Sequence, residues 1–79
     1  MNDYIMLKDL EIGSFGKIID IKSQGMTRRR ILDLGFVPNT LVKSLFKSPS
    51  GDPIAFEVKG TVIALRSEES SNIIVEKYP

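Results

Sequence analysis

The clearest hydrophobic pattern in the chain is an alternation in its second half. Ile54, Phe56 and Val58 fall on one side, and Ala55, Glu57 and Lys59 on the other. This alternation predicts a β-strand with one face on a core and the other in water. Gly60 permits a tight reversal, so the pattern predicts a hairpin into a second apolar strand, Thr61 to Arg66.

Three other segments are rich enough in apolar residues to form strands. They are Phe15 to Lys22, Thr40 to Lys47 and Ile73 to Val75. In the first, Phe15, Ile19 and Ile21 share one face and are predicted to enter the core. Gly16 within that strand predicts a bulge or the close approach of another backbone.

The sequence from Thr40 to Lys47 does not decide which face of that strand points into the core. Either Leu41 with Leu45 or Val42 with Phe46 can fill the core, because both pairs have the spacing of a single strand face. The turn-forming residues 48–53 then lead into the alternating strand.

One short helix is predicted between Met26 and Pro38. Thr27 is a preferred N-cap residue, and Met26 before it is placed to pack against Ile31 as a hydrophobic staple. A helix capped at Thr27 carries its charges the wrong way, with arginines at its positive end and an aspartate at its negative end. Each such charge costs about 0.3–1 kcal/mol where it is exposed.

The end of this helix has stronger signals than its start. Gly35 supplies a left-handed stop, Phe36 can fold back onto Ile31, and Pro38 prevents the helix from continuing. A second short helix is predicted at Ser67-Glu68-Glu69, where a serine cap precedes two acids at the positive end.

The chain length and these elements predict a single domain, residues 1–79. Five short, mostly antiparallel strands with two short helices can hide their edges by curling into a small barrel. The predicted fold is therefore mainly β, an SH3-like barrel.

The amino-acid composition excludes several classes of function. The chain has no cysteine and no histidine, which excludes Cys/His zinc sites, Ser-His-Asp triads and Cys-His dyads. It also lacks the glycine motifs that hold phosphates. We therefore expect a binding module rather than an enzyme, with no catalytic residues, no cofactor and no metal site.

Charge and hydropathy narrow the function further. A net charge of +1 does not favour a general nucleic-acid binder. The longest aliphatic run, Val62 to Leu65, is far shorter than a membrane-spanning helix, and residues 1–4 lack the features of a signal peptide. We expect a soluble protein without direct membrane insertion, and the absence of cysteine fits a reducing cytoplasm.

An ordered set of motifs resembles the FeoA family over Leu7 to Val75. The set comprises the run from Arg28 to Phe36 with Pro38, then Gly51-Asp52-Pro53, Val58-Lys59-Gly60, and Ala64-Leu65-Arg66 with Glu69. Two departures are Asn39, where glycine is common, and Lys59, where arginine is usual.

The resemblance implies a small cytosolic SH3-like protein of bacterial ferrous iron uptake, whose partner is the cytosolic part of the FeoB GTPase-permease. It implies recruitment to the inner face of the membrane through that partner. It also implies a fold related to the C-terminal domain of metal-dependent repressors. The alternative is therefore an SH3-like domain that binds nucleic acid or a transcriptional regulator.

The predicted partner-binding residues are Arg28, Arg29, Arg30, Leu34 and Asp52. The arginines can grip carboxylates of a partner through bidentate bonds. Alternatively, they lie on a solvated helix face where Arg29 and Arg30 pair with Asp33. Leu34 can dock or pack inward, and Asp52 can bind or only form a turn. Gly35 and Gly60 are predicted to be backbone devices. Self-association through an edge strand is left open, as are a carboxylate site for metal, the transported ion and the direction of any regulation.

Overall fold

A computed structural model describes residues 4–78 of the chain. Six strands and two α-helices are present in these residues: β1 Tyr4–Met6, β2 Phe15–Ile21, α1 Gly25–Asp33, β3 Leu41–Lys47, β4 Ile54–Val58, β5 Thr61–Leu65, α2 Ser67–Ser70 and β6 Ile73–Tyr78. A 3-10 helix, Leu7–Asp9, follows β1. The mainly β architecture with two short helices is confirmed. The structure has one strand more than the sequence predicted, because β1 has no alternation long enough to identify it.

The six strands form one sheet in the order β1-β6-β2-β3-β4-β5. All five pairings are antiparallel. The first and last strands pair with each other, with Ile5 opposite Val75. Thus β6 lies between β1 and β2, and the outer strands of the sheet are β1 and β5.

The core is built from side chains of every strand except β1, together with α1 and the connecting segments. Its buried members are Leu7, Leu10, Ile18, Ile21, Ile31, Phe36, Val42, Ile54, Phe56, Val58, Leu65, Ile73 and Val75. Burial of each large side chain contributes about 1.5–3 kcal/mol relative to exposure. Ile31 connects α1 to this apolar core.

A bulge in β2 makes part of the predicted inward face wrong. The pairing of β2 with β6 shifts between Ile18 and Asp20, so one extra residue enters the strand. Ile18 is therefore fully buried together with Ile21, whereas Phe15 is 42% exposed. Gly16 has little room for a side chain, because a Cβ atom there would lie 3.1 Å from Cγ2 of Val75; the close neighbour is a side chain rather than the predicted backbone.

A second irregularity lies in β3, between Ser44 and Phe46. Val42 and Ser44 are buried before it, and Phe46 is 59% exposed after it. Neither of the two predicted inward pairs is therefore correct as a pair. After the register shift, the side chains that would have pointed into the core point to the opposite face of the sheet.

The hairpin between β4 and β5 is confirmed. Val58 pairs with Thr61, and the two residues between them, Lys59 and Gly60, have φ values of 51° and 79°. Two successive positive φ values are those of a type I′ turn, whose twist matches that of the flanking strands. Gly60 acts as the predicted backbone device.

The predicted start of α1 is wrong. The helix begins at Gly25, its N-cap is Gln24, and no side chain caps it. Met26 is 84% exposed, so it does not form the predicted staple. The arginines lie at the fourth to sixth helical positions, beyond the first turn where the helix dipole acts most strongly. The expected dipole penalty is correspondingly smaller.

The predicted end of α1 is confirmed. The amide of Gly35 donates to the carbonyl of Leu32 at 3.0 Å, and the amide of Phe36 donates to that of Ile31 at 3.2 Å. These two bonds form a Schellman motif, and Gly35 takes the required positive φ of 107°. Ile31 and Phe36 are both fully buried.

The start of α2 differs from the prediction by one residue. Its N-cap is Arg66 rather than Ser67. The backbone amide of Arg66 donates to Oε1 of Glu69 at 3.2 Å, so the acid at the third helical position holds the start of the helix.

Candidate functional site: the groove between the two helices

The candidate site is a groove of about 670 Å³ between α1 and α2, which we call the helix groove. Its lining residues are Ser23, Gln24, Thr27, Arg30, Pro53, Ala64, Arg66, Glu68, Glu69 and Asn72. They come from the start of α1, the start of β4, the end of β5 and the region of α2. The groove combines two cations and two anions with uncharged polar groups, and it contains no aromatic side chain.

An ion pair between Arg30 and Glu69 crosses this groove. Nη1 of Arg30 donates to Oε2 of Glu69. The other carboxylate oxygen accepts the amide of Arg66. Glu69 was predicted only as a helix-start charge, and for Arg30 the alternative to partner binding was a local pair with Asp33. The actual partner lies 39 positions away, so no local spacing could reveal it.

The other two arginines are held by different groups. Nη1 of Arg28 donates to the carbonyl oxygen of Ile21 at 2.6 Å, which fastens α1 to the end of β2. Nε of Arg29 lies 3.6 Å from Oδ2 of Asp33, the predicted i,i+4 partner. Both side chains of that pair are more than two-thirds exposed. Only Arg30 of the three lines the helix groove.

Asp52 stands at the edge of the helix groove and connects the β3–β4 loop to α2. Its Oδ1 accepts the amide of Ser67 at 2.8 Å, and its Oδ2 lies 4.0 Å from Nη1 of Arg66. The hydroxyls of Ser48 and Ser50 donate to its backbone carbonyl. Asp52 therefore does more than form a turn, because it satisfies a free amide at the start of α2.

Leu34 does not join these residues. It is half-buried and packs against the hydrophobic core, as does Leu32, while Phe36 is fully buried. Arg30 and Asp52 thus lie at or beside the helix groove, whereas Leu34 packs against the hydrophobic core. A role for any of the five predicted residues in binding stays a prediction.

Ser23 introduces a buried polar group at the groove. Ser23 is 9% exposed, and its hydroxyl has no hydrogen-bond partner within residues 4–78. A buried hydroxyl without a partner is costly and uncommon in folded proteins. The sequence offered no signal for it, because serine before a helix normally indicates a cap.

One carboxylate near the start of α1 has a perturbed acidity. The ammonium of Lys22, 3.1 Å from Oδ2 of Asp20, lowers the pKa of Asp20, and the amide of Ile21 adds a hydrogen bond at 2.8 Å. Arg28 contributes a further favourable charge. The shift keeps Asp20 ionised to lower pH than an isolated aspartate.

Residues 4–78 contain neither a cluster of metal-ligating side chains nor a helix able to span a membrane. Between Tyr4 and Tyr78 no three or more Asp, Glu, Cys or His side chains cluster as metal ligands would. The helices of that same part of the chain are all too short and polar to cross a membrane.

Residues 5–77 match the FeoA domain family. A relative in Porphyromonas gingivalis is 30% identical over 70 residues, and it is an Fe(2+) transport protein A/Fe(2+) transporter FeoB fusion protein. The match covers 89% of this chain and 8% of that protein. The chain therefore spans only a small part of the length of this relative.

Solved structures agree with this family and with the fold. A FeoA-like protein of Clostridium acetobutylicum is 38% identical, with a TM-score of 0.89 over 100% of this chain and 92% of that one. A FeoA of Stenotrophomonas maltophilia, complexed with zinc and described as a prokaryotic SH3 domain protein, is 27% identical, with a TM-score of 0.78 over 87% and 86%. The predicted SH3-like fold is confirmed.

A manganese-dependent transcriptional repressor shares the fold at 15% identity, with a TM-score of 0.87 over 99% of this chain and 44% of the repressor. At that identity the likeness concerns the fold alone. The alternative function as a nucleic-acid or regulator-binding domain stays a prediction.

Proposed function

This chain belongs to the FeoA family, and we propose that it is a non-enzymatic cytoplasmic accessory protein of ferrous iron uptake that binds the cytosolic part of FeoB. The observation that carries the proposal is the relative in which a FeoA and a FeoB are one polypeptide. Fusion keeps two proteins at a high effective concentration, which favours even a weak contact between them. In this proposal, contact with FeoB places the chain at the inner face of the membrane.

The contact surface in this proposal is the exposed side of α1 and the rim of the helix groove. Arg29 is the most available of the predicted residues, because its pair with Asp33 is highly exposed and such pairs are weak. Arg30 and Asp52 lie at the groove with their own partners. Arg28 is committed to the carbonyl of Ile21 and serves the fold.

Binding alone does not regulate a transporter. An accessory protein shifts its partner's equilibrium only if it binds one state more tightly than another, and equal affinity for both states changes nothing. The states of a GTPase differ in bound nucleotide. We therefore expect the affinity of this chain for FeoB to depend on the nucleotide that FeoB holds.

The test is a calorimetric titration of the chain against the cytosolic GTPase portion of its own FeoB, with GDP, with a GTP analogue and without nucleotide. Binding that changes with nucleotide supports the proposal. The absence of binding in all three conditions, with the chain folded, would overturn it for this part of FeoB.

Charge reversal locates the contact. Arg29→Glu leaves the fold intact, since its pair with Asp33 is exposed, and we expect it to weaken binding about tenfold. Lys77→Glu, on an exposed position of β6, is the matched control and should bind as the unmodified chain does. Unchanged affinity in a folded Arg29→Glu variant removes this face of α1 from the interface.

A further inference from the structure

Strand β5 is an outer strand of the sheet. Within residues 4–78 it pairs with β4 alone, over all five of its residues. An outer strand presents backbone N–H and C=O groups that have no partner in the sheet, and another extended chain can pair with them. The edge of β5 that faces away from β4 can therefore form main-chain hydrogen bonds with another extended chain.

The two outer strands are not equally protected. β1 has only three residues, and a short outer strand is one of the ways in which proteins prevent unwanted pairing. β5 has five residues, Thr61–Leu65, none of which is charged or a proline. Val62 is 58% exposed on it. β5 thus lacks the charge, the proline and the register shift that protect many outer strands.

The helix groove lies against this strand. Ala64 of β5 lines it, and Thr27 and Arg30 of α1 lie across from the strand. Val62 and Ala64 are two positions apart and exposed, so they share one strand face. A strand beside a groove can take an extended peptide through its backbone while the groove accepts alternate side chains.

The charges of the groove indicate what kind of segment fits. Arg30 is paired with Glu69, and Arg66 lies near Asp52, so the arginines are already opposed by carboxylates. Glu68 also lines the groove, so a strongly acidic segment gains little there. The free backbone edge and the apolar positions Val62 and Ala64 favour an extended segment with small polar and apolar side chains.

We propose that the free edge of β5 receives an extended segment of the partner as a seventh strand, with alternate side chains of that segment entering the helix groove. The identity of the partner rests on the proposed function; the mode of binding rests on the strand edge. Main-chain hydrogen bonds supply the affinity in this mode, and the groove supplies the specificity.

Three variants test this mode in titrations against the cytosolic part of FeoB. Val62→Lys places a charge on the edge strand, and we expect it to weaken binding about tenfold or more. Val62→Thr keeps a β-branched residue and should bind within about threefold of the unmodified chain. Phe46→Lys is the matched control, because Phe46 is about as exposed as Val62 but lies on β3, an inner strand of the sheet, where it pairs with Ala55 of β4.

Amide hydrogen exchange of the complex gives a second readout. Strand addition should slow exchange at alternate amides of residues 61–65, since only alternate residues point their N–H groups towards the free edge. The chain alone, measured over a range of concentrations, should not show this protection.

The outcomes separate the two proposals. If FeoB binds, while Val62→Lys has no effect and the β5 amides are unprotected, the strand-addition mode is wrong and the proposed function stands. Protection that grows with the concentration of the chain alone would identify a second copy as the occupant and overturn a partner segment. Failure of FeoB to bind overturns both.

Discussion

Arg30 of α1 and Glu69 of α2 are joined by an ion pair that spans the helix groove. The Glu69 side chain is 19% exposed and also accepts the amide at the start of α2, whereas the Arg30 side chain is 51% exposed. One carboxylate therefore both caps a helix and ties it to another. The groove in which we place side chains of the partner is therefore bridged by this pair.

A double-mutant cycle measures this pair. We expect a coupling free energy between Arg30→Gln and Glu69→Gln of about 0.5–1 kcal/mol, the upper part of the range for pairs that are partly exposed. Urea unfolding of the four proteins gives the coupling. The same cycle for Arg29 and Asp33 is the control and should give less, because both side chains are in water and the arginine-first order is the poorer orientation. Equal couplings would contradict a special role for Glu69.

Ser44 provides a test of the irregular register in β3. Its side chain is fully buried, and no partner for its hydroxyl occurs within residues 4–78. We expect Ser44→Ala to be neutral or to stabilise the fold by up to about 1 kcal/mol, because it removes an unsatisfied buried group at little loss of packing. Thermal unfolding checks this. A loss of more than about 1 kcal/mol would mean that the hydroxyl has a partner in solution.

Gly35 provides a test of the end of α1. A Cβ atom there would lie 3.6 Å from Cδ of Lys59, an ordinary contact, so crowding is not the obstacle. Its φ of 107° is the obstacle. We expect Gly35→Ala to cost about 1–2 kcal/mol. Gly35→Asn should cost less, since asparagine tolerates left-handed conformations better than alanine. Chemical denaturation of both variants decides, and equal losses would contradict a purely conformational origin.

Asp20 makes a small contribution to stability that depends on pH. Because the folded state lowers its pKa below the ordinary value of 3.8, the contribution is present above that pH and is lost as the pH falls through the folded pKa. We expect Lys22→Gln to raise the pKa of Asp20 towards the ordinary value, since Lys22 is the main cause. A carboxyl NMR titration of the two proteins measures the change. An unaltered pKa in Lys22→Gln would show that the amide of Ile21 dominates instead.

Local sequence signals predicted the elements that depend on neighbouring residues. The β4–β5 hairpin followed from an unbroken alternation and Gly60, and the end of α1 followed from Gly35 and Phe36. At the hairpin turn and at the end of α1, the paired residues lie only three to five positions apart. Thr27 shows the limit of such signals. Thr27 has the side chain of a preferred N-cap residue, yet the helix already begins two residues earlier, at Gly25.

The errors arose where a distant strand or helix decides the outcome. The inward faces of β2 and β3 were misjudged because each contains a register shift, and one extra residue exchanges the two faces of a strand. β1 is a strand because β6 pairs with it, and the sequence of Tyr4–Met6 contains no sign of that partner. The groove was missed for the same reason, since Arg30 meets Glu69 only after the sheet has formed.

The position of β6 has a consequence for synthesis in the cell. This strand lies between β1 and β2, yet it is the last of the six along the chain. While the ribosome is still adding residues 73–78, β1 has no sheet partner and β2 has one bare side. The sheet can therefore be completed only after translation has passed Tyr78. A nascent chain stalled before Ile73 exposes unpaired strand edges, which chaperones and proteases can bind.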